Sequence, residues 1–314
     1  MTTTSDKPMN VLVLGAGAIG GYYGARLHEA GAQVTFLVRP ARARHIEETG
    51  ICVKSQLGDV RWAARTATRI DGHNTYDLVL LACKGFDLDS AIDAIAPAVT
   101  AGACVLPFLN GMGAYKRLDG AFGKARILGG AAYIAVELLS QGHVMHYGVS
   151  DKVVIGARSR ETLDLASRVH VALAKSGGQR LLSHHIDEVL WNKWVMIAAG
   201  AAVTCLSRGT IAEVLATPGG AQFVRRAINE CCAGVAAAEM PLAQSERQAI
   251  EERLLDGSSN WASSMKRDMD RGISRIESEA ILGDLVRIGK VHAIDQPILL
   301  AALTHLQVYE TQRS

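Results

Sequence analysis

The sequence is short of almost every feature that assigns a chain to a specialised class. Lysine and arginine total 33 against 31 acids, a formal net charge of +2, and no block of like charges occurs. Nucleic acid is thereby excluded as the main partner, because phosphate binding needs a concentrated basic face. The N-terminal "MTTTSDKPM" lacks the apolar core of a signal peptide. The longest alanine-rich stretch, "WVMIAAGAAVTCL" (Trp194 to Leu206), stops short of the roughly 20 apolar residues that span a bilayer. It reads as a buried helix, so a cytoplasmic protein without membrane association is expected. Six cysteines fall mostly in apolar runs with no C-x-x-C spacing, and are expected as reduced core residues rather than a disulfide framework. There is no G-x-S-x-G and no cysteine–histidine signature of a covalent nucleophile. The adjacent His184 and His185 lack a third ligand at useful spacing, so no metal is expected.

What remains is an ordinary globular composition, 49% hydrophobic and 20% charged, over 314 residues, enough for two domains with their own cores. The first half alternates apolar runs with amphipathic stretches. The runs are "VLVL" (11–14), "VTFLV" (34–38), "LVLLAC" (78–83), "CVLPFL" (104–109) and "RILGGAAYIAV" (126–136). Such runs, flanked by helical patterns, indicate a parallel sheet covered on both faces. "GHVMHYG" and "DKVVIGA" alternate and are expected to be antiparallel strands closing the domain. From about His184 apolar residues recur at three- and four-residue spacing almost to the C-terminus, with breaks at "ATPGG", "DGSSN" and "DQP". The expected organisation is an α/β N-terminal domain over residues 1–183, then an all-α C-terminal domain over 184–314.

Gly15, Gly17 and Gly20 form G-x-G-x-x-G directly after the first apolar run and at the head of a helical pattern. The first glycine allows a tight turn, the second lets backbone approach a pyrophosphate, and the third lets helix pack on strand. Gly15, Ala16, Gly17, Ala18, Ile19 and Gly20 are therefore the expected phosphate-binding loop of a dinucleotide. An acid ending the second strand usually binds the ribose 2′-hydroxyl. Here that strand ends "FLVRPARAR". Arg39, with Arg42 or Arg44 nearby, suits a 2′-phosphate through charge-assisted hydrogen bonds, so NADP(H) is expected over NAD(H). A solvated helix start is the structural alternative.

Other positions admit two readings each. Lys84 in "LLACKGFDL" and Asn110 in "LPFLNGMG" lie past strand ends, where ligands of open α/β sheets bind. The first is equally a helix-start surface charge, the second a common turn residue. Lys193, between two tryptophans in "LWNKWVMIAAG", either snorkels to water or faces a wet cleft with a lowered pKa. In "SSNWASSMKRDMDRGISRIESEAILGD", Ser263, Ser264 and Glu277 surround a polar segment. Ser264 is a helix cap or a ligand, and Glu277 a surface charge or a ligand.

Taken in order, "GAGAIGG", "ACKGFD", "NGMG", "LWNKWV" and "SSMKRDMDRG…E…GD" resemble the ketopantoate reductase family (2-dehydropantoate 2-reductase) over nearly the whole chain. The resemblance implies a Rossmann-type domain followed by a helical one, a homodimer, and NADPH reduction of a small-molecule 2-keto acid in the cleft between them. It implies Lys193 as proton donor, Asn110 in contact with substrate and nicotinamide, Ser264 on the substrate, Glu277 on the cofactor, and Lys84 lining the cofactor site. The nominal reaction is 2-dehydropantoate to pantoate, in pantothenate biosynthesis.

Two departures bear on the substrate. Asparagines that the family places four and eight residues after its lysine are Ile197 and Ala201 here. The interval from Ser264 to Glu277 is also one residue longer than the family's. A related reductase with a more apolar keto acid is one alternative, and an NADP(H)-binding sensor or scaffold without turnover is another. A hydroxyisobutyrate or opine dehydrogenase fits "NGMG" with "SSMKRD" less well.

Overall fold

A computed structural model describes residues 7–313, so most of the polar N-terminal stretch lies outside the described residues. The chain divides into two compact units. One comprises the residues up to Leu109 together with Tyr115–Asp187, and the other Asn110–Ala114 with the residues from Glu188 on.

The first unit runs β1 (Asn10–Leu14), α1 (Ala18–Glu29), β2 (Gln33–Leu37), α2 (Pro40–Thr49), β3 (Ile51–Lys54), β4 (Val60–Trp62), β5 (Arg65–Ala67), β6 (Leu78–Leu81), α3 (Leu88–Thr100), β7 (Cys104–Pro107), α4 (Gly113–Phe122), β8 (Gly129–Leu138), β9 (Val144–Gly156), α5 (Leu163–Ala174) and β10 (Gln179–Leu182). Five strands form a wholly parallel sheet in the order β5-β2-β1-β6-β7. In β1, Val11, Leu12 and Val13 are fully buried, as are Leu78 to Leu81 in β6, which explains why these strands read as unbroken apolar runs. The chain steps from β1 to β2 on one side and returns to β6 on the other. The carboxyl end of β1 is thus the topological switch point, where open α/β sheets bind ligands.

Four expected runs are strands of this sheet. The fifth is not: β8 pairs antiparallel with β9 in a second, mixed sheet of order β10-β9-β3-β4, and Ile127, just before β8, forms an isolated bridge to Val105 of the parallel sheet. The reason is connection length. A tight loop, in which Leu139 N donates to the His143 carbonyl and Gly142 takes φ +77°, returns the chain at once. Such a loop makes an antiparallel hairpin, whereas a parallel neighbour needs a crossover. The two short alternating segments are likewise a single strand, β9. Its free edge takes β3 near its start and β10 near its end.

A buried polar knot fastens α1 to the second sheet. The hydroxyls of Tyr22 and Tyr23 each donate to Asp151 at 2.8 Å, and Arg180 Nη2 donates to the same carboxylate at 2.5 Å. Burial together with the Asp151 charge raises both tyrosine pKa values.

The second unit continues with α6 (Ile186–Ser207), α7 (Ile211–Leu215), α8 (Gly220–Ala237), α9 (Gln244–Leu254), α10 (Ser264–Asp270), a π-helical turn at Glu279–Gly283, α11 (Asp284–Val291) and α12 (Pro297–Thr311). The start of α12 is capped from a distance, since the buried Glu230 of α8 accepts from the N–H groups of Ile298 and Leu299. Helix α6 corrects one expectation. The alanine-rich stretch is only its later part, and its 22 residues are long and apolar enough to cross a membrane by length and composition. It is instead packed like a core helix, with Trp194, Val195, Ala198, Ala199, Ala201, Ala202 and Val203 buried. All six cysteines are free thiols.

Candidate active site

Lys193 occupies the second turn of α6 and is only 9% exposed. Its Nζ donates to Asn110 Oδ1 at 3.2 Å. Burial pushes the amine down to about 8, while the Glu277 carboxylate pulls in the opposite direction. The snorkelling alternative therefore does not describe this lysine. Glu277 is itself buried, two residues before the π-helical turn, a distortion often found at functional positions.

Backbone packing brings Asn110 to this lysine. Gly111 takes φ +82°, and a Cβ there would lie 2.2 Å from the Ala280 carbonyl oxygen. Only glycine permits both that conformation and that approach. The indole N–H of Trp194 donates to the Ile281 carbonyl at 2.9 Å, fixing α6 to the same turn. The segment Asn110–Ala114, α6 and the turn at 279–283 therefore hold Lys193, Asn110 and Glu277 in one unit. Sequence reasoning missed Gly111 and Trp194 as supports, although their neighbours in the same motifs were singled out.

The serines change places. Ser263, not Ser264, caps α10: its hydroxyl accepts from Lys266 N at 3.1 Å and sits against the Thr204 hydroxyl at 3.0 Å. Ser264 is the first helical residue and is half-buried. The cap alternative for Ser264 is thus off by one residue.

In the first unit the three glycines divide their tasks as the motif requires. Gly15 takes φ +94°; a Cβ on Gly20 would lie 1.9 Å from the Gly15 carbonyl oxygen; a Cβ on Gly17 would meet nothing within 4 Å. Gly17 is also the N-cap of α1, whose first-turn N–H groups follow at Ala18, Ile19 and Gly20. An open approach at a helix N-terminus suits a pyrophosphate. Arg39 lies past β2 with its side chain 83% exposed and a long ion pair to Asp87 at 3.4 Å. Arg42 is half-buried instead, donating to the carbonyls of Ala16 and Gly142, each at 3.1 Å, so it braces the loop. Lys84 is exposed past the end of β6, at the start of a 3₁₀ turn.

Residues 11–160 match the family model described as ketopantoate reductase PanE/ApbA, and residues 185–310 match the model of its C-terminal part. The chain belongs to the ketopantoate reductase family. It is an oxidoreductase acting on a CH–OH group. An oxidoreductase of Bacillus subtilis (strain 168), YkpB, is 30% identical over 305 residues, covering 97% of this chain and all of that protein. A PanE/ApbA family ketopantoate reductase structure from Ralstonia eutropha JMP134 superposes with a TM-score of 0.86 at 26% identity, covering 97% of this chain and 99% of the other. D-Mandelate dehydrogenase, solved with NADH and anilino(oxo)acetate, has a TM-score of 0.87 at 22% identity, covering 97% and 99% of the two chains, a likeness of fold alone. In this ketopantoate reductase family chain, the parallel sheet with its helices and the helical unit after it form the expected α/β and all-α pair.

Proposed function

We propose that this chain reduces a 2-keto acid to a 2-hydroxy acid with NADPH, nominally 2-dehydropantoate to pantoate. The observation that carries the reading is Lys193, buried, close to neutral in its pKa and oriented by Asn110. The glycine loop fits a pyrophosphate through the open face of Gly17 and the N-terminus of α1, and the exposed Arg39, held by its long ion pair to Asp87, suits a 2′-phosphate. A reduced nicotinamide bound by these residues would supply the hydride.

The residues of the chain handle the proton. As a hydride reaches the ketone carbon, the carbonyl π pair moves onto oxygen. The Lys193 ammonium stabilises that charge, its N–H bond breaks, an O–H bond forms, and a neutral amine remains to be recharged from solvent. Asn110 Oδ1 holds the ammonium in one direction, and the Glu277 carboxylate keeps more of it protonated. Ser264 and the Asn110 amide are donors suited to a substrate carboxylate. The sensor alternative draws on Ile197 and Ala201, but a binder without turnover has no use for a desolvated lysine.

The deciding experiment is NADPH oxidation across a panel of 2-keto acids. Lys193→Ala is expected to lower kcat by about 10²–10⁴-fold with NADPH affinity retained. Wild-type turnover in that variant refutes the mechanism.

A further inference from the structure

On α6 the positions 193, 197, 200 and 204 recur at helical spacing and share one face. Lys193 heads this face, and Ile197 follows one turn on, half-buried. At Gly200 an added Cβ would lie 2.6 Å from Cζ3 and 2.7 Å from Cη2 of Trp261. The six-membered ring of that indole therefore rests on the helix backbone. The segment bearing it is pinned at both ends: the Trp261 carbonyl accepts from Ile211 N at 3.0 Å, and Ser263 N donates to the Thr204 hydroxyl at 3.3 Å. The indole is consequently a fixed wall.

We propose that the substituent on the keto carbon lies along this face, on Ile197 and up to the Trp261 ring, and that the substrates are 2-keto acids with a bulky apolar substituent, branched-alkyl or aryl. The proposal rests on the reductase reading above and makes Ile197 and Trp261 its specificity residues. At ~1.5 Å rise per residue, Gly200 is roughly 10 Å along the axis from Lys193. With the ketone oxygen within ~3 Å of the amine, that interval matches the length of a branched or aromatic group. Ile197 offers only hydrocarbon, and neither Gly200 nor the fully buried Ala201 adds a polar side chain. A hydroxyl on the substituent is stripped of water there without finding a partner, which weakens binding.

The test compares kcat/KM for pyruvate, 2-ketoisocaproate, phenylpyruvate and 2-dehydropantoate, with NADPH. Wild type is expected to favour the two bulky apolar acids over both others by ~10-fold or more. Trp261→Ala, and Trp261→Leu should the smaller residue compromise folding, are expected to cut the bulky-to-pyruvate ratio by ~10-fold or more, mainly through KM. Ile197→Asn is expected to move the ratio toward 2-dehydropantoate, because the hydroxyl gains a partner. A wild-type preference for pyruvate or 2-dehydropantoate overturns the proposal, as does an unchanged ratio in the Trp261 and Ile197 variants. Absence of turnover on all four acids is a different result, because it removes the reductase reading itself.

Discussion

Lys193 Nζ and Asn110 Oδ1 are 3.2 Å apart although 83 positions separate the two residues in the chain. The contact exists because Asn110–Ala114 leaves the first unit and packs with the second. A carboxamide oxygen accepts from the ammonium without adding charge, so the amine is oriented while burial holds its pKa at about 8.

The pH dependence of reduction should report that value. Lys193 donates its proton only while charged, so kcat/KM is expected to be flat below about pH 8 and to fall above it. Asn110→Asp adds a negative charge beside the amine and should move the midpoint upward; Asn110→Ala should lower the plateau by about 10-fold or more. A profile in which the Asp variant leaves the midpoint unchanged separates Asn110 from the titrating group.

The same lysine sets a stability prediction with a definite sign. Its folded pKa of about 8 lies below the ordinary value of 10.5, so the folded state disfavours the charge. Between those values the unfolded chain binds more protons, and stability rises with pH across that window. Below pH 8 the full penalty is present. Lys193→Met should therefore stabilise the protein at pH 7, by on the order of 3 kcal/mol. Urea titrations of both proteins at pH 7 and pH 10 check this, and the difference between them should shrink at the higher pH.

The glycine loop separates folding from binding. A Cβ at Gly17 meets nothing within 4 Å, whereas one at Gly20 collides with the Gly15 carbonyl. Gly17→Ala is expected to melt close to wild type, with NADPH binding weakened by about 10-fold or more, because the methyl lies where the pyrophosphate approaches. Gly20→Ala should lose stability outright. Thermal melts paired with NADPH fluorescence titration distinguish the two. Arg39→Ala, at an exposed position, should leave melting within about 0.5 kcal/mol of wild type and lower the preference for NADPH over NADH. An unchanged preference removes Arg39 from the cofactor site.

Much of this was legible along the chain because its signals are local. The strands of the parallel sheet are apolar runs, the loop glycines sit at fixed offsets, and Lys193 stands out between tryptophans. What failed to show depends on distant partners. Nothing near Arg42 reveals that it braces the Ala16 carbonyl, and nothing near Gly200 reveals the Trp261 ring. The fifth apolar run had the right composition for the parallel sheet, and a tight loop diverted it to β9. Ser263 and Ser264 are indistinguishable as caps until the first turn of α10 fixes its phase.

The tyrosine pair at the end of the glycine motif carries the last prediction. Tyr22 and Tyr23 spend their hydroxyls on Asp151, a carboxylate shared with Arg180, whose side chain is 3% exposed. Removing the acid takes the acceptor from both tyrosine hydroxyls and leaves a buried guanidinium without its counter-ion. Breaking one partner of a buried pair typically destabilises by about 3–5 kcal/mol, which for a domain of this size lowers Tm by about 6–20 °C. Asp151→Ala is expected in that range. Combining it with Arg180→Leu removes the stranded charge, so the double variant should be more stable than Asp151→Ala alone. If the two losses simply add, the carboxylate and the guanidinium are not coupled, and α1 is held to the second sheet by packing.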